Sequence, residues 1–237
     1  MGGFFGAVSA NDCILDVFYG TDYHSHLGTR RGGMTSYSAE LGFQRNIHSI
    51  ENSPFRTKFE KDVEKMRGNI CIGCISDTDP QPIMVRSKLG LYAVCSIGII
   101  QNAKALSEEL LENGCANFET MSSGNINSGG LIGALIAQKP TFVEGIRYAQ
   151  SKIEGTMSLV IMTEDSIICA RDKAGKLPIL IGKRSDGYCF SFESFAYQKL
   201  GYETCHELKA GEITKLTKDG YEVLYEGCLL YTSDAAD

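Results

Sequence analysis

The sequence predicts an α+β layered domain, and three features carry that reading. Asn69 to Ile75 and Leu91 to Ile100 are apolar, β-branched runs that read as strands. Helical patterns then follow one another between Asn102 and Lys152. From Ser158 onward, short strands succeed each other with Glu164-Asp165, Asp186-Gly187 and Asp219-Gly220 as turn signals. Strands, then helices, then antiparallel hairpins describe layers, whereas a doubly wound parallel sheet requires strict alternation of strand and helix. No internal repeat or low-complexity linker interrupts the chain.

The elements follow in order. Phe4 to Val8 reads as a first strand and Cys13 to His24 as a helix, followed by the turn-rich Gly28-Thr29-Arg30-Arg31-Gly32-Gly33. Lys58 to Met66 interleaves charges with Phe59, Val63 and Met66, the pattern of a short amphipathic helix. In Asn102 to Glu112, Ala103, Leu106, Leu110 and Leu111 form one face, and Asn113-Gly114 supplies the stop. Leu131 to Gln138 and Thr141 to Lys152 are two more helices parted by Pro140, with Thr141 as N-cap. The late strands are Ser158–Met162, Ser166–Arg171, Ile179–Gly182, Tyr188–Phe192, Glu212–Leu216 and Glu222–Leu224.

Composition narrows the function classes. With 237 residues, 43% hydrophobic and 22% charged, the chain can bury a substantial core and is not a disordered sequence. Its net charge of −6, without a basic block, argues against nucleic acid as a partner. Nine scattered cysteines, an odd number, do not form a secreted disulfide framework. Cys71 and Cys74 make one C-x-x-C, but no second pair or histidine pair accompanies it, so strand core is the expectation and no metal or cofactor is assigned. The N-terminus has neither the basic nor the apolar region of a signal peptide, and no stretch is long and apolar enough for a bilayer, so the expected setting is cytoplasmic, without a membrane partner.

Several ordered motifs resemble class II glutamine amidotransferases, and amidophosphoribosyltransferases in particular. Ala170-Arg171-Asp172-Lys173-Ala174-Gly175-Lys176-Leu177-Pro178-Ile179 is similar to the family's A-R-D-x-x-G-x-R-P-L, with Leu177 in place of arginine. Ser191-Phe192-Glu193-Ser194-Phe195-Ala196 resembles S-E-S-x-A with Phe192 inserted or displaced, and Leu208-Lys209-Ala210-Gly211-Glu212 resembles L-x-P-G-E. Glu154-Gly155-Thr156-Met157-Ser158-Leu159 matches the glycine-led strand before them. Gly3-Phe4-Phe5-Gly6, Gly73, Gln81-Pro82 and Ile97-Gly98-Ile99-Ile100-Gln101-Asn102-Ala103 match in the same order in the first half. The resemblance implies the N-terminal-nucleophile hydrolase fold, a four-layer αββα sandwich of two mostly antiparallel sheets, over residues 1–227. The final ten residues, 228–237, read as an adapter-derived tail. The resemblance also implies a downstream phosphoribosyltransferase domain as partner, and leaves a homo-oligomer open.

The chemistry of the family depends on residues missing here. The family's nucleophile is a cysteine where this chain has Gly2, and its own α-amine moves the proton. The arginine that holds the glutamine carboxylate bidentately corresponds to Ser76, which cannot make a charge-assisted pair. The oxyanion-holding asparagine of H-N-G-N falls in Ser96-Ile97-Gly98-Ile99, which keeps only Gly98; losing one such donor costs about 3–4 kcal/mol of transition-state stabilisation. The aspartate that binds the glutamine amine has no counterpart, whether Ser122-Ser123-Gly124 or Asn127-Ser128-Gly129 aligns with it, since no Asp lies between Asp79 and Asp165. A further pocket arginine of the family has Arg30 or Arg31 as its counterpart, although a solvated turn is the reading preferred for them. The degenerate pocket positions are thus Gly2, Arg30, Arg31, Ser76, Ile97, Gly98 and Ser128, with no catalytic residue assigned.

Other candidates read as structural. Cys13 lacks an adjacent α-amine and sits among Ile14, Leu15 and Val17, as on a packed helix face. His24 and His26 could join Arg30 and Arg31 in holding an anion, but a turn is preferred. Gly32-Gly33 and Gly129-Gly130-Leu131 lack the Lys-Ser/Thr of a phosphate loop. The expected function is a glutaminase-inactive amidotransferase domain serving a phosphoribosyltransferase half. The alternatives are a non-enzymatic binding module and, last, a hydrolase using the Gly2 amine or another thiol.

Overall fold

Residues 2–114, 118, 124 and 126–227 are described by the computed structural model; the tail proposed at 228–237, with Cys228, lies outside them, as do Ser122 and Ser123. A seven-stranded and a six-stranded sheet form the centre. The first is built from β1 (Gly2–Ser9), β2 (Arg31–Ser38), β3 (Gly42–Ser49), β4 (Ile70–Ser76), β9 (Leu180–Arg184), β10 (Gly187–Ser191) and β11 (Glu203–Glu207), in the order β11-β9-β10-β1-β4-β2-β3. The second contains β5 (Ile83–Ser87), β6 (Gly90–Ile100), β7 (Gly155–Met162), β8 (Ile167–Ala170), β12 (Ile213–Leu216) and β13 (Tyr221–Tyr225), in the order β13-β12-β8-β7-β6-β5. Neighbouring strands run antiparallel throughout both.

Three apolar clusters arrange these sheets into four layers. Between the sheets, Phe4, Ile72, Cys74 and Phe190 of one meet Ala93, Cys95, Val160 and Cys169 of the other. Phe4 lies 5.6 Å from Phe190 and 4.2 Å from Phe192, ring centre to ring centre. On the outer face of the first sheet, α1 (Ile14–Asp22), α2 (Phe55–Val63) and α6 (Ser194–Gln198) bury Val17, Phe55, Phe59 and Tyr197. On the outer face of the second, α3 (Ala103–Glu112), α4 (Ser128–Ile136) and α5 (Phe142–Lys152) bury Leu106, Leu110, Leu131, Ile132 and Ile146. Central strands covered on both faces read as continuous apolar runs, which is why β1 and β4 are buried along their whole length. The αββα sandwich expected from the resemblance is the fold observed.

Cys71 and Cys74 illustrate the period of two. Cys71 faces the α1–α2 layer and Cys74 the layer between the sheets, so the C-x-x-C cannot converge on one metal. No metal-holding cluster of three or more His, Cys, Asp or Glu occurs among the described residues. Cys13 is buried, its thiol directed to Ala7 O at 3.5 Å, and burial pushes its pKa well up, the reverse of an activated nucleophile. No helix among the described residues is long and apolar enough to cross a membrane.

Five elements escape the sequence reading: β2, β3, β5, β11 and α6. The turn-rich reading of Gly28 to Gly33 is corrected at its end: β2 begins at Arg31 and pairs with β3 as a hairpin. β5, the edge strand β11 and the five-residue α6 are also additional. Each is short, polar or at a sheet edge, and lacks the apolar period that marks a buried element.

Candidate functional site

An apolar cavity of about 420 Å³ opens where β1, β6 and α4 converge. Gly2 stands at its floor, at the start of β1 and opposite Ser76 of β4. A Cβ on Gly2 would lie 2.4 Å from Ile75 O and 3.4 Å from Ile97 Cδ1. The backbone of β4 therefore fills the space that a side chain at this position requires.

The second wall is the end of β6. Gln81 fixes it with both ends of its amide: Ser96 N donates to Oε1 at 2.6 Å, and Nε2 donates to Ser96 O at 3.0 Å. The next residues, Ile97 and Gly98, line the cavity. Gly98 is required by close approach, since a Cβ there would sit 2.0 Å from Thr156 O. Where an oxyanion donor would be needed, Ile97 presents hydrocarbon. Leu177 and Phe192, two of the departures from the later motifs, line the same cavity.

Ser76 is buried and stands outside the lining. Its hydroxyl accepts from Thr78 N and Asp79 N, each at 3.2 Å, closing a turn that carries Thr78 and Asp79 into the wall. Asp79 is 4% exposed and accepts from Ser128 N at 3.2 Å. Ser128, the first residue of α4, also lines the cavity. No aspartate comes from the stretch between Asp79 and Asp165, and the carboxylate beside Ser128 is Asp79 itself, which arrives from the loop before β5, across 49 residues of sequence. Local spacing carries no sign of such a pairing.

The N-terminus of α4 is already satisfied. Asn127 Oδ1 accepts from Gly129 N at 2.9 Å and Gly130 N at 3.4 Å, and Asp79 takes Ser128 N. Gly129-Gly130 consequently offers no free cradle for phosphate. A second carboxylate, Glu193, lines the cavity and meets His26 Nε2 at 3.0 Å.

Arg30 and Arg31 are exposed and stand outside the lining. His24 does not join them: its Nδ1 lies 2.7 Å from Gly20 O and its Nε2 3.0 Å from Ser191 Oγ. Burial holds its pKa below the ordinary histidine value. No arginine, lysine or histidine stands among the described residues of the cavity wall.

Known proteins supply the family. The model of the glutamine amidotransferase domain matches residues 66–198. The chain belongs to that family. Amidophosphoribosyltransferases are its relatives: that of Archaeoglobus fulgidus is 26% identical over 86% of this chain and 45% of its own length, and that of Staphylococcus epidermidis 32% identical over 84% and 38%. The fold matches the glutamine phosphoribosylpyrophosphate amidotransferase of B. subtilis, solved with ADP and GMP, with a TM-score of 0.81 and 24% identity over 93% of this chain and 48% of that one. A protein from Silicibacter pomeroyi described as a glutamine aminotransferase class-II domain protein matches with a TM-score of 0.62 at 11% identity, over 93% of this chain and 97% of that one. This amidophosphoribosyltransferase-like domain thus spans about half the length of the curated relatives it matches.

Proposed function

We propose that this amidotransferase domain does not hydrolyse glutamine and acts as a structural or regulatory unit for a phosphoribosyltransferase half. The observation that carries the proposal is Gly2: the cavity floor holds no nucleophile, and Ile75 O occupies the place of its Cβ. The remainder of the wall agrees. A glutamine carboxylate would find no cation among the described lining residues, and a developing oxyanion would face Ile97 instead of a donor. Relatives about twice as long support a second half with which the domain would dock. In such an arrangement the transferase half would use free ammonia.

The test is glutamate release by the purified domain, beside Gly2→Cys. The expected result is no turnover in either form. Turnover by the native domain overturns the proposal and places a nucleophile elsewhere. A second reading, a non-enzymatic binding module, is favoured by one observation: the cavity persists at about 420 Å³, within the size range of small-molecule sites.

A further inference from the structure

We infer that the cavity binds an apolar cation, a ligand with a compact hydrocarbon body and one ammonium group and without a carboxylate. This inference rests on the reading that the cavity is no longer a glutaminase site and names the ligand chemistry that replaces glutamine. Most of the wall is hydrocarbon, from Leu27, Ile97, Ile100, Ile132, Met157 and Phe192. Its charged members are two carboxylates, Asp79 and Glu193, with no basic residue among the described lining.

Asp79 provides the specific contact. It is 4% exposed, and one of its oxygens accepts from Ser128 N. The other makes no hydrogen bond among the described residues. A buried carboxylate in an apolar cavity is costly unless charge and hydrogen bonds compensate it. The α4 N-terminus supplies a partial compensation through one N–H. An ammonium donor within reach of the second oxygen completes it, while the hydrocarbon body covers the isoleucines. An anion meets the opposite situation: two carboxylates repel it, and Asn127 and Asp79 already occupy the helix N–H groups it would otherwise use. Ser76 belongs to the same device, because its hydroxyl holds the turn that presents Asp79.

Titration calorimetry on the whole chain with n-hexylamine, 1-hexanol and hexanoate tests the inference, with methyl chemical shifts of Ile97, Ile100 and Ile132 reporting location. The amine is expected to bind at least ten-fold more tightly than the alcohol, hexanoate not to saturate, and those methyls to move. Asp79→Asn keeps an acceptor for Ser128 N and should bring the amine to within about three-fold of the alcohol, with alcohol affinity unchanged. Glu193→Gln should reduce the same preference, and decides the matter if Asp79→Asn does not fold. Equal binding of amine and alcohol, preference for hexanoate, shifts confined to other methyls, or a preference surviving in the folded variants overturns the inference. Glutamate release measured on the same sample separates the two readings. Turnover defeats the proposed loss of glutaminase, whereas no turnover and no amine preference defeats only the cation site.

Discussion

Two regions of this domain carry family motifs, and they have met different fates. The turn after β8 is densely bonded. Asp172 accepts from Met157 N at 3.1 Å and Ala174 N at 3.0 Å, and Arg171 binds Leu177 O at 3.0 Å, Gly175 O at 2.9 Å and also Leu208 O. Nearby, the buried Glu212 accepts from Lys209 N at 2.9 Å and Thr214 Oγ1 at 2.7 Å. The cavity wall, in contrast, is lined at Gly2, Ile97 and Leu177 by no polar side chain. The first region is held together by backbone-satisfying hydrogen bonds, and the second is where the proposed loss of glutamine chemistry would lie. A buried polar group whose loss leaves several backbone groups unsatisfied is held by folding itself. A catalytic side chain in an open cavity is held only by its reaction.

Four measurements would break or sharpen that contrast. The largest effect is expected for Asp172→Ala, which leaves backbone N–H groups unpaired in a site only 3% exposed; a loss of about 4 kcal/mol should appear in the denaturant midpoint. A loss under about 1 kcal/mol would mean that the turn is dispensable and the contrast false. Next comes Gly2→Cys: forcing a Cβ against Ile75 O should cost about 2 kcal/mol while glutamate release stays at background. Normal stability with turnover would show that only the thiol was missing. Leu177→Arg, restoring the family's residue in the cavity wall, should change stability by less than about 1 kcal/mol, since its site is partly open. The smallest effect is a pH dependence from His24. Burial lowers its folded pKa, so between that value and about 6.5 the unfolded chain binds more protons. Stability should therefore be full above about pH 6.5 and fall as the pH drops below it, with a shallower slope in His24→Gln.

Much of the fold was legible because its elements obey simple periods. α3 follows from Leu106 and Leu110 on one face, and Thr141 caps α5 by accepting from Glu144 N at 3.2 Å. The β2–β3 hairpin was hidden because Gly32-Gly33 reads as a turn and β3, at the sheet edge, is only half-buried. Gly2, Ile97, Gly98 and Ser128, named from motif order, line the cavity. Arg30, Arg31 and Ser76 were placed in the pocket by alignment, yet the first two lie outside its wall and the third shapes it from behind. Asp79 and Glu193 were not legible as a pair: separate loops deliver them to one cavity, and the S-E-S-x-A resemblance that contains Glu193 does not point to Asp79.

The closed floor at Gly2 also has a historical meaning. With Ile75 O seated where a Cβ would go, a cysteine regained at position 2 would first disturb the pairing of β1 with β4, and would then meet Ile97 in place of an oxyanion donor. Under the proposed loss of glutaminase, each missing group makes the return of the others less useful, so single substitutions restore that chemistry less readily than they depart from it. A domain in this condition is free to be reshaped by whatever next occupies its cavity.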